Sequence, residues 1–417
     1  MIEDLVIAVA QEAKRASYEL ATISSVAKND ALLAMADALD ANRAHILSEN
    51  ARDCGLAREK RLPQALIDRL TLNNQRIDDM IAGVRAIAEL PDPVGKLITS
   101  NMLPNGIKLR KVRVPIGVIG IIFEARPNVV ADVAALCLKS GNAVVLRGGS
   151  ESDYSNRAIL SAINQGLERR GFIKNAVQMI PVKDRSAITT LCRLPNYVDL
   201  IIPRGGEGLI NAVTECATVP VIKHYKGLCS VYVDESSDLG MALNICHNAK
   251  CQRPGVCNAA ETILVHENIA REFILRLEAI FNQAGVEMRG CAQSCAIAKS
   301  MKAARELDFD TEFLDLIVAV KIVSSLGEAI KHINKHGSHH SDAIISQDLK
   351  SQHRFVLEVD SAAVYINAST RFTDGSQFGL GAEMGISTDK LHARGPMGLY
   401  ELTTYKWIGV GAGQIRE

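Results

Sequence analysis

The chain has 417 residues, and its 47 basic side chains are matched by 47 acidic ones. That length accommodates two or three domains with a large core, and the even charge gives no electrostatic reason to expect a nucleic acid or an anionic membrane as partner. Aromatic residues are only 4% of the whole, and Ala, Ile, Leu and Val abound, which suits an α/β enzyme better than a β-sandwich.

The N-terminal MIEDLVIAVAQEAKRAS carries acids early and has no small-residue cleavage site after an apolar core. It reads as an amphipathic helix rather than a signal peptide, so a cytoplasmic protein is expected. Roughly the first hundred residues keep a helical pattern. Ser24–Ser25 can cap a helix through ALLAMADAL, and Thr71 can cap another through RIDDMIAGVRAIAEL, which stops at Pro91. Then the period changes. Residues 98–115, ITSNMLPNGIKLRKVRVP, predict a hairpin turning at Pro104-Asn105-Gly106. Its second strand alternates charged and apolar side chains, as an exposed or partner-covered ribbon would.

From 116 to about 223 strands and helices alternate: GVIGIIFE, VVADVAALCLKSG, NAVVLRGG, SNRAILSAINQGLERRG, AVQMIP, a helix through ITTLCRL, VDLIIPRGG, GLINAVTEC and VPVIKH. Short apolar runs between helices mark buried parallel strands, and hence a doubly wound α/β domain. The apolar run PIGVIGIIF is far short of the roughly 20 residues that span a bilayer. A second α/β unit begins near CSVYVDE and runs through a helix at 238–250, the loop QRPGVCN, the strand ETILV and a following helix, on to AAVYIN. The glycine-rich segment 371–398 reads as a functional loop. The tail LTTYKWIGVG is β-prone and placed to pair with the hairpin. The expected division is a cofactor-binding domain over 1–224 interrupted by the 98–115 hairpin, a catalytic domain over 225–399, and a C-terminal oligomerisation strand over 400–417.

Ligands in open α/β sheets bind beyond the carboxyl ends of strands, where Arg147-Gly148-Gly149 and Arg204-Gly205-Gly206 fall. Paired glycines let backbone N–H groups face a phosphate, and the arginines add charge. Two such turns in one sheet favour an extended anion such as a nicotinamide dinucleotide. Gly117 and Gly120 do not complete a GxGxxG pattern and serve strand packing equally well. None of the ten cysteines forms CxxC, and most sit among apolar neighbours, as small buried hydrophobes do in a reducing compartment. Cys257 differs in following Arg-Pro-Gly-Val on a loop, where backbone N–H groups and a cation such as Arg253 could favour a thiolate. His332, His336, His339 and His340 crowd one stretch, but no carboxylate or thiol pattern joins them, so no metal is expected.

Taken in order, PIGVIGIIFEARPNV, GNAVVLRGGSE, IIPRGGEGLI, QRPGVCNAAETILV, EFLDLIVAVKIV and AAVYINASTRFTDGSQFGLGAEMGIST resemble the aldehyde dehydrogenase superfamily over essentially the whole chain. HSDAI, STRFTDG and HARGPMGL are similar to its branch that reduces L-glutamate 5-phosphate in proline biosynthesis. The resemblance implies two doubly wound α/β domains with a β-hairpin and tail that oligomerise. It makes Cys257 the nucleophile that forms a thioester and Asn128 an oxyanion donor. Arg147, Gly148, Gly149, Ser150, Arg204, Gly205, Gly206 and Glu312 become the cofactor contacts. Arg147 stands where the superfamily has a ribose-binding lysine, and Glu312 resembles the glutamate that touches the nicotinamide ribose. Ser150 replaces a frequent acid, which leaves room for a 2′-phosphate and so favours NADPH. HYKG, 224–227, lacks the acid with which hydrolytic members activate water, which fits a reductase. Arg126, Arg253 and Arg371, and after them Arg394, are the cations expected to meet the substrate's anionic groups. Implied partners are a dimer or tetramer of the chain itself and a separate glutamate 5-kinase. Alternatives are action on another acyl phosphate or an acyl-CoA, and a catalytically idle binding protein of the same fold, which the joint presence of Cys257 and Asn128 argues against.

Overall fold

The computed structural model describes residues 1–223 and 226–416, without the side chain of Ala65. The chain forms two compact units, one of Met1–Lys223, Gly379–Gly385 and Met397–Glu417, the other of His224–Phe378 and Ile386–Pro396. Of the segment expected as the catalytic domain, 225–399, residues 379–385 and 397–399 fall in the first unit.

In the first unit five helices, Ile2–Leu20, Ser25–Ala41, Arg43–Glu59, Gln64–Leu70 and Asn74–Glu89, precede the strands. Ser24 caps the second by accepting from Ala27 N at 3.2 Å. The fifth is capped by Asn73, whose Oδ1 accepts from Arg76 N at 2.8 Å, and not by Thr71, which instead ends the helix before it. Strands β1 (Leu97–Met102) and β2 (Lys108–Pro115) pair antiparallel around Gly106, whose φ of +84° suits glycine. The strand Thr403–Val410 pairs with β2 from Pro115 to Lys108, as its sequence predicts.

Strands β3 (Val118–Phe123), β4 (Ala143–Gly148), β5 (Val177–Met179) and β6 (Leu200–Arg204) form a parallel sheet in the order β5-β4-β3-β6. All of β3 is buried, so its side chains must be apolar on both faces. VPVIKH adds no strand. It contributes a single bridge from Val221 to Ile201, and its His224 lies outside the described residues.

The second unit holds seven parallel strands: β7 (Cys229–Val233), β8 (Ala260–His266), β9 (Glu287–Gly290), β10 (Lys302–Ala303), β11 (Ile317–Val323), β12 (Ser341–Ile345) and β13 (Ala363–Ile366), in the order β10-β9-β11-β8-β7-β12-β13. Successive side chains of a strand face opposite ways. Val231, Val233, Ile263 and Val265 therefore pack under the helices Leu239–Cys251 and Glu267–Gln283. Tyr232, Leu264 and Ile344 pack with Ile333 and Phe355 of the helices Leu326–His336 and Leu349–Glu358 on the other face. No helix among the described residues is long and apolar enough to cross a membrane.

Candidate active site

The first unit's site residues sit on the loops that leave β3, β4 and β6. After β3 the chain turns through Ala125 at φ +33°, a strained value for a residue with a Cβ. The turn is held by Glu151 Oε1, which accepts Ala125 N at 2.7 Å. Asn128 stands at the N-cap position of the helix Val129–Lys139 without a side-chain bond to its backbone, and its Nδ2 donates to Asp132 Oδ2 at 2.9 Å. One amide hydrogen is thereby fixed and the other is left to point elsewhere. Burial pushes the Asp132 carboxyl up to about 6, against the pull of that hydrogen bond and of Arg204. Arg126 lies on the surface of the same turn.

Arg147 is not presented as the sequence suggests. It is 7% exposed, with Nη1 donating to Gly148 O at 2.6 Å and Nη2 to Lys183 O at 2.7 Å. Its Nε is buried without a partner, and burial lowers its guanidinium from the usual range. It fastens the β4 turn to the loop after β5 instead of offering its charge outward. The glycine pairs also differ from the expected phosphate cradles. A Cβ on Gly149 would stand 2.5 Å from the Glu151 carboxyl carbon, and one on Gly205 would stand 2.5 Å from Glu124 Oε2. Gly206 N donates to that same Glu124 oxygen at 2.9 Å. A Cβ on Gly208 would meet nothing within 4 Å, and one on Gly206 only Glu124 at 4.0 Å. Both lie at the start of the helix Glu207–Cys216. Glu124 takes the Gly206 N–H, so the open backbone at Gly208, in the first turn of that helix, is the part of this unit that fits an anion such as the pyrophosphate of a dinucleotide. Ser150, exposed, opens a short 3₁₀ turn after Gly149.

In the second unit Cys257 occupies the turn between the helix Leu239–Cys251 and β8. It is partly exposed, whereas Cys54, Cys137, Cys192, Cys229 and Cys246 are buried. Burial raises the thiols of Cys137 and Cys246 well above the usual value and that of Cys192 to about 12, so these stay protonated. The turn is fixed from three sides. Cys229 Sγ donates to Cys257 O at 3.2 Å. Asn258, 4% exposed, donates Nδ2 to Thr373 O at 2.8 Å, and its own carbonyl accepts from Thr370 Oγ1 at 2.7 Å. Gly227 lies flat against it: a Cβ there would be 2.5 Å from Cys257 C. Gly227 N donates to Glu312 Oε1 at 2.9 Å, which places Glu312 beside the Cys257 turn.

Arg371 donates Nε to Gln252 Oε1 at 2.8 Å. Its guanidinium is lowered by burial and then by Arg253, with Asp374 first and then Cys257 acting in the opposite sense. Arg253, Arg371 and Cys257 thus share one electrostatic neighbourhood. Arg394 does not join it by any bond, since it pairs with Asp360 Oδ1 at 2.8 Å, in a structural ion pair. His332 and His336 stack in their helix at 4.4 Å, and His336 Nδ1 meets Asp310 Oδ1 at 2.8 Å. Two of the four positions of HYKG, His224 and Tyr225, lie outside the described residues. Sequence reasoning missed Gly227, Asn258, Asp132, Glu124 and Glu151. Only the glycine's place in HYKG and the asparagine's place next to Cys257 offered any signal.

The aldehyde dehydrogenase family matches residues 3–298, and the chain belongs to that family. Its nearer relatives narrow the likeness. The gamma-glutamyl phosphate reductase of Moorella thermoacetica is 53% identical over 407 residues, covering 98% of this chain and 97% of its own length. That of Syntrophomonas wolfei is 54% identical over 415 residues, with 100% and 99% covered. The crystal structure of gamma-glutamyl phosphate reductase from Thermotoga maritima matches with a TM-score of 0.97 at 47% identity, covering 99% of this chain and 100% of that one. The superfamily resemblance and the α/β fold class read from the sequence both hold.

Proposed function

We propose that the chain reduces L-glutamate 5-phosphate to L-glutamate 5-semialdehyde, releasing phosphate, as the second step of proline biosynthesis. The observation that carries this is end-to-end identity of 53–54% to gamma-glutamyl phosphate reductases, in a chain that holds the partly exposed Cys257 on a fixed turn. Cys257 attacks the acyl phosphate carbon, the C–O bond to phosphate breaks, and a thioester remains on the sulfur. Asn128 and the Cys257 N–H donate to the oxygen that becomes negative, a contribution of about 3 kcal/mol per donor. A bound nicotinamide supplies the hydride that reduces the thioester. Collapse of the thiohemiacetal frees the semialdehyde and restores Cys257. Arg253 and Arg371 bind the substrate's anionic groups, and Arg126 joins them. When a dinucleotide binds, the Gly208 backbone at the helix start would hold its pyrophosphate and Glu312 its nicotinamide ribose. Ser150, neutral and exposed, favours NADPH over NADH.

The test is the reverse reaction. Protein, glutamate semialdehyde and NADP are expected to give NADPH only when phosphate is added. NADPH without phosphate would mean hydrolytic oxidation, and NADPH with coenzyme A in place of phosphate would mean an acyl-CoA enzyme.

Asp132 gives this reading a pH signature. Ionised, it only accepts, and so it holds Nδ2 of Asn128. Protonated, below about 6, it can donate instead and let the amide turn. The rate relative to Asp132→Asn is expected to rise through about pH 6 and level off above it. A ratio flat from pH 5 to 8 would show that Asp132 does not orient Asn128.

The three-stranded sheet leaves Leu97, Ile98, Met102, Tyr405, Trp407 and Val410 exposed, a patch that fits a second copy of the chain in a dimer or tetramer. Light scattering that returns the monomer mass would sink this. Because acyl phosphates are labile, contact with a separate glutamate 5-kinase in the cytoplasm follows. Channelling that an added scavenger of free L-glutamate 5-phosphate fully abolishes would argue against such contact.

A further inference from the structure

Lys250 is the penultimate residue of the helix that enters the Cys257 turn, and Glu261 is the second residue of the strand that leaves it. Their side chains meet beneath the turn, Nζ to Oε2 at 2.7 Å, with 0% and 1% exposure. The other Glu261 oxygen accepts Leu314 N at 3.3 Å. Two residues before Leu314, Glu312 holds Gly227 against the Cys257 backbone. The pair therefore closes the base of the turn and ties it to the segment that backs the Cys257 main chain.

Stability does not account for placing it there. Desolvating two charges usually cancels their attraction, and apolar replacements of similar size are often neutral or better. Burial pushes the Glu261 carboxyl up even with Lys250 beside it.

We propose that Lys250 and Glu261 are positioning residues for the nucleophile: together they set the distance between the two ends of the Cys257 turn, and hence where the sulfur stands. The inference rests on the reading of Cys257 as the nucleophile. Neither side chain touches substrate, so their loss lowers kcat and leaves KM nearly alone.

The experiment uses the full-length enzyme with Lys250→Met and Glu261→Met combined, which removes both charges and keeps side-chain length. Thermal unfolding is expected within a few degrees of wild type. We expect kcat to fall about tenfold at little changed KM. The iodoacetamide alkylation rate of Cys257, followed by peptide mass spectrometry, is expected to shift several-fold while the other reactive cysteines keep theirs. A folded double variant with wild-type kcat and wild-type Cys257 alkylation overturns the proposal. Should the double variant fail to fold, Lys250→Arg keeps the charge while changing the 2.7 Å geometry; it is expected to show the same two changes in weaker form, and their absence overturns the proposal equally. Alkylation needs no substrate, so it reports on the turn even if Cys257→Ser were to show that another group is the nucleophile.

Discussion

Replacing Cys257 by serine is expected to lower turnover by at least about 10⁴-fold in both directions while leaving thermal unfolding within a degree or two of wild type. Cys257 is partly exposed on a turn whose hydrogen bonds run through backbone atoms and through Cys229, Asn258, Thr370 and Thr373. An oxygen in its place disturbs none of them. The loss is chemical. A thiol is a few per cent ionised at neutral pH and strongly nucleophilic, whereas a serine hydroxyl without an adjacent base is neither. No covalent adduct should then form when L-glutamate 5-phosphate is added, whereas wild type without cofactor should release about one phosphate per chain and stop. A serine variant that still released that first phosphate would remove Cys257 from the mechanism.

Gly227→Ala is expected to cost about 100-fold in kcat with the fold retained. The added methyl would stand 2.5 Å from Cys257 C, and carbon atoms need roughly 3.5 Å. Something must move by about 1 Å, a displacement that suffices for a 100-fold loss when the moving part carries the reacting atom. The partner in this contact is backbone, which has no rotamer to swing aside. Alongside kcat, the bond from Cys229 Sγ to Cys257 O should lengthen in a crystal structure of the variant. Wild-type kcat in a folded Gly227→Ala protein would show that Gly227 serves only local packing.

Both variants act on a turn that the sequence marks by little more than QRPGVCN. What the sequence determined by itself was the element list and the fold class. A helix or a strand is selected by how often an apolar face recurs, and that period is local. Val118–Phe123 is apolar at every position because both faces are covered, and Val129–Lys139 ends at Gly141, with φ of +78°, because glycine adopts that turn without strain. Where two local signals competed, as at Thr71 and Asn73, the nearer cap won. The choice of Cys257 among ten cysteines came from the resemblance, because a thiol's burial is not local: Cys137 and Cys246 lie inside helices whose neighbours come from elsewhere in the chain. Only the tertiary structure decided the pairings that shape the site. Arg147 turned inward to Lys183 O, Glu124 took the N–H of Gly206, Gly227 met Cys257, and Lys250 found Glu261. Each of these depends on which loops the strand orders β5-β4-β3-β6 and β11-β8-β7 bring side by side. That order is set by the burial of whole sheets, and no short stretch of sequence contains it.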